Sequence, residues 1–388
     1  MSTKGPDRLL LLTSQDRLAQ VDFHASLTIN RCHFDRLCQI WARELQTDEF
    51  PFRSAIVSPL VARNGILERL FEHRQQCRVI FDSGGFHVQQ GRLELSSATR
   101  QLREVYKEHD WADRFALPDT PITSRDCPET VKRKLRSNRR QYQVFASNFL
   151  EPIRRKLLPV VHGTTSEQIR SSARAARQVA SESLGFGGFS TSGPNGGVNS
   201  FSTDNLRLLV QFAVYCKKEK LNAHVFGIGG PSAIVVLHYV GIDSFDSAGW
   251  IRTAAYGNVY LPYLGAVNIT GATESRRFVG KREFAEMRSA SQHSCPFCRD
   301  HKALVKYWPY RALHNYITVA SSIHELQSTP LNQAVENMRR FNPRFANYLS
   351  LALCERNRLL EAEANPEIEA ADEMLADLAD DFQAPKSL

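Results

Sequence analysis

The feature that most limits how this chain can fold is a series of short apolar runs, each ending abruptly in Gly, Asp, Ser or His. SAIVSPL, RVIFDSGG, RFALPDT, LLPVVHG, SLGFGG, AHVFGIGG and DSFDSAGW follow one another through the middle of the sequence. Each reads as a buried strand that passes at once into a loop. Segments of helical spacing, such as SEQIRSSARAARQVASES and TDNLRLLVQFAVYCKKEK, lie between several of them. Strands alternating with helices imply parallel β-α units, and the expected fold is an α/β TIM (β/α)8 barrel. Seven strands are one short of closure: RLLLLT near the N-terminus and GAVNITG from Gly265 compete for the eighth, and a doubly wound open sheet is the alternative.

The barrel reading places polar residues and glycines where barrels build active sites. Asp82, Asp119, His162, Gly187, Gly188, Gly229, Gly230 and Asp246 all fall at the C-terminal ends of the expected strands.

Composition narrows the class. With 388 residues, 42% of them hydrophobic and 23% charged, the chain can bury one large core and carry a smaller appendage. No apolar run approaches the roughly 20 residues that cross a bilayer, and the apolar stretch at the N-terminus is too short for a secretory signal. A cytoplasmic protein with no membrane partner is expected. Six of the eight cysteines are scattered, while Cys295 and Cys298 form a C-x-x-C pair, which in a reducing compartment suggests a metal rather than a disulfide. The net charge of +8 understates how basic the body is, because the stretch from Glu355 onward is strongly acidic. A basic body fits a polyanionic partner.

VIFDSGGFHVQQG sets Asp82 directly after three apolar residues, with Gly84 and Gly85 letting the backbone approach a planar ligand. GIDSFDSAGW repeats the arrangement with Asp246. Either aspartate could instead cap a turn, and Asp243 is as good a capping residue as Asp246. Two aspartates on different strand ends can face each other across a barrel mouth, as nucleophile and general acid/base for chemistry at a sugar C1′.

DSGGF at 82–86, GFGGF at 185–189, HVFGIGGP at 224–231, GIDSFDS at 241–247, and HSCPFC with a later LHN are specific in combination. Over roughly residues 54 to 320 the chain resembles the tRNA-guanine transglycosylase superfamily. The resemblance implies a ping-pong base exchange, in which Asp246 attacks C1′ of the target nucleoside, expels guanine and holds a covalent glycosyl-enzyme intermediate. Asp82 would then deprotonate the incoming 7-deazaguanine. Phe86 and Phe226 match the positions that sandwich the base, with ordinary core packing as the alternative. Asp119, Gly187 and Gly188 match positions that hydrogen-bond its edge, and Gly229 belongs to the same substrate-binding set. Where the family has a glutamine, this chain has His162, whose imidazole cannot donate and accept as an amide does.

Two thiolates and two imidazoles make a closed tetrahedral zinc site of the structural type, with Zn2+ as the expected cofactor. His293, Cys295 and Cys298 supply three ligands; His293 replaces the family's usual cysteine. The resemblance assigns the fourth to His314, with His301 a nearby competitor.

The run KRKLRSNRR carries Lys132, Arg133, Lys134, Arg136, Arg139 and Arg140. Such a run is usually a solvated helix face, but beside a barrel mouth it can bind phosphates without reading sequence. After Asp246 only Arg252 is basic, where the tRNA-modifying members carry a basic, glycine-containing loop. In this the chain is similar to the 7-deazaguanine DNA transglycosylase branch of bacteria and phages, which replaces guanine in DNA with a base such as preQ0. A duplex target would have to be flipped out. The alternatives are a tRNA substrate, or a non-catalytic barrel subunit that binds nucleic acid. A homodimer or accessory modification proteins are further expected partners.

The expected organisation is an N-terminal extension over 1–50 partly joining the barrel and a catalytic barrel over 51–280 with a basic insertion around 125–156. A zinc-binding helical region over 281–350 and an acidic tail over 351–388 complete it.

Overall fold

The computed structural model describes residues 21–62, 65–180, 182–188, 201–272 and 276–364. Nine parallel strands make one sheet: β1 (Asp22–Ser26), β2 (Ser54–Val57), β3 (Arg78–Phe81), β4 (Arg114–Ala116), β5 (Leu157–Leu158), β6 (Val160–Val161), β7 (Ser183–Phe186), β8 (Asn222–Val225) and β9 (Ser244–Ser247). Their order is β5-β4-β3-β2-β1-β9-β8-β7-β6. The two ends of this sheet, β5 and β6, are consecutive pieces of one segment parted by Pro159. Leu157 pairs with Phe115 on one side and Val160 with Gly185 on the other. Proline has no N–H to give a ladder, so the strand breaks at Pro159, yet its carbonyl still accepts from Gly185 N–H (2.9 Å). Eight chain segments therefore close into a TIM-type barrel, and the open-sheet alternative is excluded.

Neither expected candidate supplies the missing strand. It is β1, which pairs with β2 and β9 and so sits at the centre of the sheet order. RLLLLT lies outside the described residues, and GAVN forms β11 (Gly265–Asn268), an antiparallel hairpin with β10 (Asn258–Leu261).

The helices cover the barrel by apolar faces that the sequence encodes. In the helix Ser166–Arg177, Thr165 caps the N-terminus by accepting from Gln168 N–H, and Ile169, Ala173 and Ala176 form the buried stripe. The helix Pro231–Val240 is buried at every residue because the helices Trp308–Leu326 and Pro343–Ala364 pack over it. The latter helix runs through residue 351, where the acidic tail was expected to begin; residues 365–388 lie outside the described ones.

One large apolar cluster fills the space between strands and helices. A second, small cluster of Ile56, Ile80 and Leu158, with Phe226 against it, fills the barrel itself. It forms the floor on which the site stands.

Candidate active site at the barrel mouth

A cavity of about 1410 Å³ opens at the C-terminal ends of the strands. Asp82, Phe86, Asp119, His162, Gly187, Phe226, Gly229 and Asp246 all line it. Gly188 does not: it stands against the ring of Phe186, where a Cβ would come within 2.6 Å of Cζ.

Asp82 follows β3, and its Oδ2 accepts from Gly84 N–H at 3.2 Å. Gly84 has φ +75°, a conformation that glycine adopts without strain. Burial pushes the Asp82 carboxyl up to about 7, with repulsion from Asp246 and Asp119 adding to the effect and the Gly84 and Ser83 backbone opposing it. A half-buried carboxyl that gains and loses a proton near neutrality is equipped for acid and base work in turn.

Asp246 lies within β9, 7% exposed, with Oδ1 accepting from Gly227 N–H at 3.0 Å. The two aspartates of GIDSFDS are thereby separated. Asp243 precedes the strand and accepts from Ala223 N–H at 2.7 Å, a backbone role at the opposite end from the cavity. His224, one strand away, brings Nε2 to 3.4 Å from Asp246 Oδ1, while its Nδ1 meets Ser244 Oγ at 2.9 Å.

The two phenylalanines differ in setting. Phe86 is 41% exposed at the start of a short helix, Gly85–Gln89. Phe226 both lines the cavity and packs on the barrel's inner cluster. It also requires Gly185, where a Cβ would meet its Cε2 at 2.3 Å.

The base-edge candidates are joined to one another. His162 Nε2 is 2.6 Å from Asp119 Oδ2, and Ser83 Oγ donates to Asp119 Oδ1 at 3.3 Å. The loop carrying Asp119 is pinned from outside by the basic helix Pro128–Ala146: Thr120 N–H donates to Asn138 Oδ1 (2.9 Å), and Asn138 Nδ2 donates to Thr120 O (3.2 Å). That helix leaves Lys132, Arg133, Arg136, Arg139 and Arg140 exposed. Lys134 departs from the expectation, since its ammonium donates inward to Asp126 Oδ2 (2.7 Å) and to Pro121 O (2.8 Å).

None of those helix residues lines the cavity, but other cations do, among them Arg252, Arg276, Lys306 and Arg344. The last three went unnoticed in the sequence because they come from separate elements and form no run. His224 was missed too, although it stands two residues before Phe226 and so shares a strand face with it.

Beyond the barrel, His293, Cys295, Cys298 and His314 are all buried, with their ligand atoms within 4.8 Å of one another. His314 sits on the helix Trp308–Leu326, and its Nε2 donates to Tyr260 O at 2.8 Å. That bond fixes the tautomer and leaves the Nδ1 lone pair toward Cys295 Sγ, 3.2 Å away. The Cys298 thiol is held well below its ordinary range by Cys295, with His293 and His314 contributing. This donor set could hold a metal ion, and two thiolates with two imidazoles suit zinc. His301 is outside the group, with its ring against Phe284. The neighbouring Asn315 ties the region to the barrel, accepting from Tyr260 N–H (2.6 Å) and donating to Trp250 O (3.0 Å).

No described helix is long and apolar enough to cross a membrane. No curated protein matches the chain. The family described as queuine tRNA-ribosyltransferase matches residues 112–308, just over half of the chain. That stretch contains Asp119, His162, Phe226, Asp246 and three of the four clustered His and Cys residues, whereas Asp82, Phe86 and His314 join the site through the fold alone. The chain belongs to the queuine tRNA-ribosyltransferase family of transglycosylases.

Proposed function

We propose that this protein exchanges guanine in DNA for a 7-deazaguanine such as preQ0, with Asp246 as nucleophile and Asp82 as the proton-transfer group. The observation that carries the reading is the pairing of these carboxyls in one cavity at the barrel mouth, with Asp82 titrating near 7. In the first half-reaction an Asp246 oxygen bonds to C1′ as the C1′–N9 bond breaks, and the departing guanine takes its proton from Asp82. In the second, N9–H of the incoming base returns that proton to Asp82, and N9 displaces Asp246 from C1′. The enzyme ends in its starting state. Phe86 and Phe226 would hold the base between them, and Asp119 would read its edge. Zinc at the His293, Cys295, Cys298 and His314 group would brace the helices behind the barrel without touching the reaction.

The segment after the nucleophile favours DNA as the polymer. The helix Gly249–Ala255 offers only Arg252 there, while other cations lie on the cavity rim and on the exposed face of Pro128–Ala146. Such a distribution suits phosphates gripped without sequence reading. The family description favours tRNA instead. Incubation with radiolabelled guanine and either duplex DNA or bulk tRNA separates the two. Label is expected in DNA; label in tRNA alone would transfer the assignment to tRNA, and label in neither would favour a binding subunit.

A further inference from the structure

His162 stands where the family resemblance expects a glutamine, and its hydrogen bonds prevent it from acting as one. Its Nδ1 is 3.1 Å from Gly187 O and its Nε2 is 2.6 Å from Asp119 Oδ2. A carbonyl oxygen only accepts, so Nδ1 carries a hydrogen. A neutral ring would then turn the Nε2 lone pair toward a carboxylate that also only accepts, at a distance typical of a charge-assisted bond. The contact is repulsive unless one proton lies between the two atoms. The pair is buried at the foot of the cavity, with side chains 2% and 6% exposed. The ring fits only because residue 187 is a glycine, since a Cβ there would lie 2.5 Å from His162 Cε1.

We propose that His162 is a positioning residue for Asp119: the two share one proton, which fixes the carboxyl so that Oδ1 alone meets the base, as a pure acceptor. The proposal rests on the base-exchange reading. Whichever heavy atom holds the proton, Oδ1 keeps its lone pairs, as a carboxylate oxygen or as the carbonyl oxygen of the acid. Gly85 leaves room beside it, since a Cβ there would come within 2.8 Å. An acceptor at this point selects a base edge with N1–H and amino donors, as in guanine and its 7-deaza relatives, and repels the N1 lone pair of adenine. A glutamine would add an N–H donor for the 6-oxygen. The only other donor of this imidazole is spent on Gly187, so the side chain leaves the 6-oxygen unread.

Two measurements test this. In protein labelled with 15N-histidine, a strongly deshielded proton in the hydrogen bond at His162 Nε2, coupled to that nitrogen directly or across the bond, is expected in the wild type and absent from both H162Q and D119N. Absence of any such proton at Nε2 in the wild type would overturn the proposal, whatever the enzyme's activity. Equilibrium binding of guanine and of 6-thioguanine, which keeps N1–H and the amino group but carries a poor acceptor at position 6, then tests the base reading. The wild type is expected to bind the two within about threefold, and H162Q to prefer guanine by about tenfold, the worth of one hydrogen bond. Equal ratios in the two proteins would overturn it. Absence of guanine binding in a wild type that shows the shared proton would instead remove the base-exchange reading, and the base-reading half of the proposal with it.

Discussion

His224 Nε2 lies 3.4 Å from Asp246 Oδ1, and both side chains are buried inside the barrel below its mouth. The imidazole is held by Ser244 and abuts the carboxylate without a hydrogen bond through Nε2, while Gly227 N–H donates to the same oxygen. In the proposed exchange Oδ2 would be the attacking oxygen. His24 packs edge-on to His224 at 5.7 Å between centroids, and burial holds the His24 pKa well below its ordinary value. A neutral His24 adds no charge beneath Asp246.

Replacing His224 by Phe should keep the ring volume and remove the contact with Asp246. Covalent-intermediate formation is expected to slow by about 10- to 100-fold, with the fold intact by circular dichroism. An unchanged rate would show that Gly227 N–H alone orients the nucleophile.

Asp82 sets an opposition between activity and stability. Its folded pKa, about 7, is above the ordinary carboxyl value of 3.8, so between those values the folded protein binds a proton that the unfolded chain has released. Stability from this group is greatest at low pH and falls as pH rises through about 7. D82N should therefore be more stable than wild type at pH about 8, on the order of 1 kcal/mol or more, yet lose about 1000-fold or more in base exchange. Thermal melts of both proteins across this range check the sign; equal pH dependence would show that Asp82 is not protonated in the folded state.

The four-residue His and Cys group should retain about one equivalent of zinc per chain through purification. C298S should lose the metal and lower the melting temperature, since the group joins the helix Trp308–Leu326 to the segment before it. Elemental analysis finding under half an equivalent in the wild type would count against the site.

Charge neutralisation on the helix Pro128–Ala146 tests the phosphate grip. Changing Arg133, Arg136 and Arg140 to Gln should weaken duplex DNA binding equally for all sequences and reduce the salt slope by about 1 for each lost contact. Changing Lys134, which bridges to Asp126, should act on stability instead. An unaltered salt slope in the triple variant would leave the cavity rim as the sole phosphate contact.

The barrel was legible because seven strands carry apolar residues just ahead of a polar residue or a glycine. β1 was not, since DFHAS opens with Asp22 on an Arg78 ion pair and turns His24 into the barrel interior, so no apolar run marks it. Asp82 and Asp246 were found by the loops they begin, and only the fold could show that Asp243 serves the backbone. The joining of Asp119 to His162 depends on the pairing of β4 with β5, which brings residues 43 positions apart to 2.6 Å. The cationic rim was hidden for a similar reason, because Arg276, Lys306 and Arg344 meet only when the hairpin and the C-terminal helices fold over the mouth.

The central claim is that Asp246 forms a bond to C1′. Mixing the protein with a guanine-containing DNA duplex, quenching in denaturant and measuring intact mass should show a protein–DNA adduct in the wild type and none in D246N. An adduct that persists in D246N would contradict the account, because the nucleophile would then be another residue.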